Sequence, residues 1–139
     1  MKLKIAVVQF DICQFSPEEN LKKAELFIKK AALSKAQIIV FPEDFITGPI
    51  ERRKELADAN NTYKKHFQNI AKQYKIDIVP GSLIELDNKG LHNTAYYIDA
   101  TGKVKARYRK VNLWLPERRY IVPGHEVPVF NTNYGKVGL

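Results

Sequence analysis

Between Lys4 and Pro42 the chain carries two short apolar runs on either side of one amphipathic segment, and no other feature restricts its fold as much. The first run, Ile5, Ala6, Val7 and Val8, is continuously apolar rather than alternating, the pattern of a strand covered on both faces. Ser16, Pro17, Glu18 and Glu19 then supply an N-cap, a proline at the first helical position and a capping-box acid three residues beyond the serine. Leu21, Ala24, Ile28 and Ala31 recur at helical spacing, while Lys22, Lys23, Lys29 and Lys30 fall outside that stripe. The second run, Ile38 to Phe41, stops at Pro42. Strand, helix and strand in this order make a βαβ unit with parallel pairing, so the chain is read as α/β.

The rest of the sequence extends the sheet. After Gly48 and Pro49, helical sequence broken around Asn60 and Asn61 leads into a segment with Phe67, Ile70, Ala71 and Tyr74 on one face. A third strand is expected over Ile76 to Leu86. Turns at 87–90 and 99–102 then connect it to strands at Asn93 to Ile98 and Val104 to Arg109, a meander of three strands in a mixed sheet. Val111 to Gly124, with Pro116, Pro123 and a cluster of charge, reads as an irregular loop over the sheet edge. Strand signal resumes near Val127 and at Lys136, and Val137 to Leu139 read as the opening of an unfinished strand. No repeat, low-complexity stretch or linker composition divides the 139 residues, which are expected to form one domain.

Composition excludes several classes. A hydrophobic share of 45%, with 7 Tyr and 7 Phe, is incompatible with a disordered chain. No leader pattern follows Met1 and no apolar stretch approaches membrane length, so a soluble, cytoplasmic protein is expected, with no membrane partner. The single cysteine, Cys13, makes neither an internal disulfide nor a thiolate zinc site, and His66, His92 and His125 lie far apart; no metal is expected. Gln9 to Ser16 holds no glycine where a dinucleotide-binding turn needs one, and no cofactor is expected. The net charge of +8 is spread over lysine and arginine pairs interspersed with acids, and no nucleic-acid module signature accompanies it. Nucleic acid is therefore not an expected partner.

Two residues stand where chemistry is commonly placed. Glu43 follows a buried parallel strand and Pro42, and the carboxyl ends of such strands are where α/β sheets hold ligands. A half-buried carboxylate there has its charged form disfavoured and its pKa moved toward the range of a general base; the alternative is an exposed loop acid. Lys110 ends another strand within Arg107, Tyr108, Arg109 and Lys110, where a lysine is ordinarily just solvated.

The words around them carry a resemblance. Ile39, Val40, Phe41, Pro42, Glu43 resembles the glutamate motif of the nitrilase, or carbon-nitrogen hydrolase, superfamily, and Tyr108, Arg109, Lys110, Val111, Asn112, Leu113 resembles its lysine motif. The likeness continues through Val79 to Ser82, Asn93 to Tyr96, Pro123, Gly124 and Gly135 to Leu139, with Asn112 standing where the family usually has histidine. It implies half of an αββα four-layer sandwich. It also implies amidase-type chemistry on non-peptide C–N bonds: Glu43 as base, Lys110 as the cation that stabilises the developing oxyanion, and Glu117 as a second glutamate positioning substrate and lysine. A charged-loop partnership with Arg118 or Arg119 is the other role open to Glu117. The family's nucleophilic cysteine lies just beyond the segment resembling Gly135 to Leu139, so the domain is expected to be incomplete, and Cys13 lies in a segment unlike the cysteine motif. Implied partners are a small-molecule amide and either further copies of the chain or a complementary C-terminal half. A catalytically silent binding or assembly module is the alternative. Glu43 and Lys110 are expected at neighbouring strand ends, roughly 3 to 6 Å apart.

Overall fold

The computed structural model describes residues 2–51 and 53–139. Parallel strands β1 (Ile5–Val7), β2 (Ile38–Val40) and β3 (Asp77–Val79) are followed by the antiparallel meander β4 (Ser82–Asp87), β5 (Gly90–Ile98) and β6 (Val104–Arg109). Together they make one six-stranded mixed sheet. The long β5 holds it together: β4 and then β3 pair along one side of it and β6 along the other. Helices α1 (Pro17–Leu33) and α2 (Thr62–Tyr74) supply the crossovers. Their apolar stripes, Ala24, Ile28 and Ala31 with Phe67, Ile70 and Ala71, close one core with Ile39, Ile78, Leu83, Tyr96 and Ile98 of the sheet. Consecutive residues of a strand point to opposite faces, so Ile84 and Leu91 on the other side of the hairpin build a second, smaller core with Ile50, Leu113 and Ile121. A separate hairpin of β7 (Val129–Thr132) and β8 (Gly135–Gly138) is tied to the sheet by the rings of Phe130 and Tyr97, 5.1 Å apart.

Three expectations need correction. The strand expected over Ile76 to Leu86 is two strands, interrupted at Pro80 and Gly81, because β3 continues the parallel set while β4 starts the antiparallel one. Gly81 has φ +58°, and a Cβ there would lie 1.8 Å from the carbonyl oxygen of Pro42, so the step needs glycine. The opening strand is covered on one face only: it is a sheet edge, with Val7 79% exposed. The capping box does not close, since the Ser16 side chain caps nothing and Glu19 pairs instead with Lys23 at 3.0 Å. The buried amide of Asn20 ties down the start of α1, bonding the backbone of Cys13 and the carbonyl of Ile46.

Candidate active site

Glu43 is presented by the segment Phe41-Pro42-Glu43-Asp44-Phe45. Phe41 and Phe45 are both buried and their rings stack at 4.9 Å, so the three residues between them are lifted off the core as a loop. Asp44 turns that loop at φ +56°, a left-handed conformation that aspartate tolerates better than most residues. Its amide donates to the Ser82 hydroxyl (3.1 Å) and its carbonyl accepts from Gly48 (2.8 Å). Lys110 leaves β6 with its amide on Asn93 O and its carbonyl taken by Gly124, both at 2.9 Å. Gly124 is required for that approach, since a Cβ would stand 2.2 Å from Arg109 O. The loop that follows turns back through one helical turn at Glu117–Arg119 and is anchored where Val122 donates to Leu91 O at 2.7 Å.

These elements bring together the three residues singled out from the sequence. The Lys110 ammonium lies 2.9 Å from Glu43 Oε1 and 2.8 Å from Glu117 Oε2. The expected strand ends are not neighbours: β3 and β5 lie between β2 and β6, and the loops after the strands bridge the gap. Glu117, 12% exposed, contacts Lys110 and accepts from the Trp114 amide at 2.9 Å, while Arg118 turns to Leu113 O. A fourth residue completes the cluster. Asn93 donates from Nδ2 to Glu43 Oε1 at 2.8 Å and, more weakly, to Glu117 Oε1 at 3.4 Å. It belongs to the stretch Asn93 to Tyr96 already noted in the sequence, and its pairing with Lys110 across the sheet is the signal that marks it.

The electrostatics depart from expectation at one point. The Glu43 side chain is 58% exposed, not half buried, and the more enclosed carboxyl group is that of its neighbour, Asp44. Burial, reinforced by the charges of Glu43 and Glu117 and opposed by Lys110, pushes Asp44 up to about 7. Burial works against the Lys110 ammonium, but its hydrogen bonds to Glu117 and Glu43 outweigh that and hold its pKa above the ordinary lysine value. Burial likewise disfavours the Glu117 carboxylate, and Lys110 with the Trp114 amide reverses the balance, leaving its pKa low. A solvent-exposed ion pair such as Glu43 with Lys110 contributes at most about 1 kcal/mol to stability, so the fold does not depend on it.

Two cavities flank the pair, each of about 320 Å³. One is walled by Gly81, Ser82, Ala95, Tyr108 and Asn112 on the sheet face, the other by Ile12, Asp44, Pro49, Trp114 and Tyr120. Cys13 lines neither: its thiol faces α1, 3.1 Å from Lys23 Nζ. Among the described residues no group of three or more His, Cys, Asp or Glu could hold a metal ion, and no helix is long and apolar enough to cross a membrane.

The family model of carbon-nitrogen hydrolases matches residues 4–139. The 2-oxoglutaramate amidase of Bacillus subtilis (strain 168) is 36% identical over 130 residues, covering 91% of this chain and 50% of the amidase. The NitN amidase from Neterenkonia sp. AN1 superposes with a TM-score of 0.90 at 25% identity, over 99% of this chain and 56% of that one. A cysteine-to-alanine mutant of the amidase from Nesterenkonia sp. AN1 in complex with butyramide gives 0.89 at 25% identity, over 98% and 54%. The chain spans about half the length of the curated relatives it matches.

Proposed function

This chain belongs to the carbon-nitrogen hydrolase family, and on that premise we propose that its 139 residues carry the base and the oxyanion-stabilising cation of an amidase whose thiol nucleophile is supplied from outside them. The observation that carries the proposal is the Glu43–Lys110–Glu117 cluster with Asn93 braced against both carboxylates. A thiol becomes a nucleophile when a neighbouring base removes its proton, and exposed Glu43, held at Oε1 by Lys110 and Asn93, has its second carboxylate oxygen to accept one from the adjoining cavity. The thiolate attacks the amide carbon, and the negative charge gathering on the amide oxygen meets the Lys110 ammonium, already oriented by Glu117. The protonated Glu43 then passes its proton to the departing amine. Water, deprotonated by the same carboxylate, hydrolyses the thioester and regenerates the thiol. Asn93 and Glu117 are positioning residues in this scheme. Cys13 has its thiol against α1 and takes no part.

The relatives support a small amide as substrate: one is named for 2-oxoglutaramate and another is seen with butyramide. The test is ammonia release from butyramide by the chain alone and by the chain mixed with a cysteine-bearing C-terminal half. The isolated chain should release none and the mixture should turn over. Glu43→Gln and Lys110→Ala should each lower that turnover by roughly a hundredfold or more. A mixture that binds but never turns over would favour a catalytically silent module instead. Activity of the isolated chain that disappears in Cys13→Ser would make Cys13 the nucleophile.

A further inference from the structure

Successive residues of an extended chain point to opposite faces, so Asn93 and Lys110 enter the site while the residues just before them, His92 and Arg109, meet behind it. The His92 imidazole is 1% exposed, and the proposed chemistry makes no use of it. Its Nδ1 lies 3.0 Å from the carbonyl oxygen of Val122, a group that can only accept, so the ring hydrogen is on Nδ1. That tautomer leaves a lone pair on Nε2 for Arg109 Nη1, 3.0 Å away on a guanidinium that can only donate. Asp87 Oδ1, 3.1 Å from Nε2, already accepts from the Lys89 amide at 2.8 Å, and Asp87 Oδ2 accepts from Arg109 Nη2 at 2.8 Å. Val122 is thereby gripped at both backbone groups, its amide on Leu91 O at 2.7 Å and its carbonyl on the ring next door. The loop that holds Glu117 returns to the sheet at Val122, and Lys110 directly follows Arg109. One buried ring therefore ties together the two segments that carry Lys110 and Glu117.

We propose that His92 is a positioning residue of the site: with its hydrogen on Nδ1, the ring clamps the returning 111–124 loop to the end of β6 and so keeps the Glu117 carboxylate on the Lys110 ammonium. This rests on the amidase reading above, in which that contact orients the cation toward the developing oxyanion, and it adds the residue that maintains the contact from the opposite face of the sheet. Lys110 Nζ is 2.8 Å from Glu117 Oε2, and a shift of the loop by about 1 Å would take the pair out of hydrogen-bond range.

The test is NMR on the 139-residue chain, with the pKa of Lys110 read from its Cε resonance, which is assigned by its loss in Lys110→Arg. Hydrogen bonds to Glu117 and Glu43 hold that pKa above the ordinary lysine value. His92→Phe keeps an aromatic ring but bonds neither Val122 nor Arg109, and it should lower the Lys110 pKa by roughly half a unit or more, the worth of one partly exposed ion pair. His92→Asn, whose side-chain amide offers an N–H on the Nδ1 side, should retain most of the elevation. Ile28→Val, in the core beneath α1, should lower stability and leave Lys110 unmoved, which separates positioning from a general loss of stability. Ring nitrogen shifts of the unmodified chain at pH 8 need no variant and should place the hydrogen on Nδ1. A hydrogen on Nε2, a Lys110 pKa unchanged in His92→Phe, or one lowered equally by Ile28→Val would overturn the assignment while leaving the amidase reading in place. An ordinary lysine pKa for Lys110 in the unmodified chain would show that the ion cluster does not form, and both would fall.

Discussion

Asp44 is costly to ionise in the folded chain, because burial withdraws its carboxylate from water and Glu43 and Glu117 stand close by. An unfolded Asp44 gives up its proton near 3.8 and the folded one near 7, so the folded state retains a proton that the unfolded state has lost. Folding stability contributed by the protonated form is therefore complete below about pH 3.8 and declines as pH rises through 7. Each pH unit in that interval is worth about 1.4 kcal/mol, so the loss above pH 7 reaches roughly 4 kcal/mol. Asp44→Asn has no proton to lose. It should unfold at higher urea than the parent at pH 8 and at nearly the same urea at pH 4; equal differences at the two pH values would show that Asp44 titrates normally.

At the scale of elements, the site is held by two close backbone approaches. Gly81 lets β3 step across to β4 beneath Pro42, and Gly124 lets the loop carrying Glu117 return over Arg109. Gly81→Ala would drive a methyl group into the Pro42 carbonyl and force φ +58° on alanine. Chemical denaturation should find it destabilised by about 3 kcal/mol. Gly135, at φ +125°, lies outside the left-handed well that Gly81 occupies but has nothing within 4 Å of its would-be Cβ. Gly135→Ala should therefore lose only the backbone strain, about 1–2 kcal/mol, with no clash added. If the two variants are equally destabilised, the clash at Pro42 is not what makes position 81 glycine.

At the scale of the whole molecule, the chain exposes 8503 Å², against about 7400 Å² for a typical compact monomer of 16.0 kDa. Part of the excess is apolar and lies along the edge strand β1, where Ile5 is 49% and Val7 79% exposed. An open strand edge with an apolar face is a site for pairing with another chain. Sedimentation of the purified chain should show self-association at micromolar concentrations. Val7→Lys should weaken it several-fold, because a charge on an open edge opposes pairing. A monodisperse monomer that unfolds in one cooperative step would show that this edge is tolerated as it stands.

Local physics accounts for what the sequence alone determined. The apolar stripes of α1 and α2, the run that stops at Pro42, the turns of the meander and the loop 111–124 follow from periodicity and turn chemistry within a few residues, and each is present. Glu43, Lys110 and Glu117 are legible because the motifs around them resemble those of the family. Tertiary structure decided what depends on distant partners. Asn93 joins the site because the pairing of β5 with the end of β6 sets it beside Lys110, and Glu43 meets that lysine 67 residues away only because Gly81 and Gly124 let loops close over two intervening strands. Burial fell on Asp44 rather than Glu43 because the stacked rings of Phe41 and Phe45, with the Ser82 hydroxyl holding the Asp44 amide, turn one carboxyl group into the wall and the other toward solvent. Periodicity carries no information about that rotation, because it is set by packing between segments about forty residues apart in the chain.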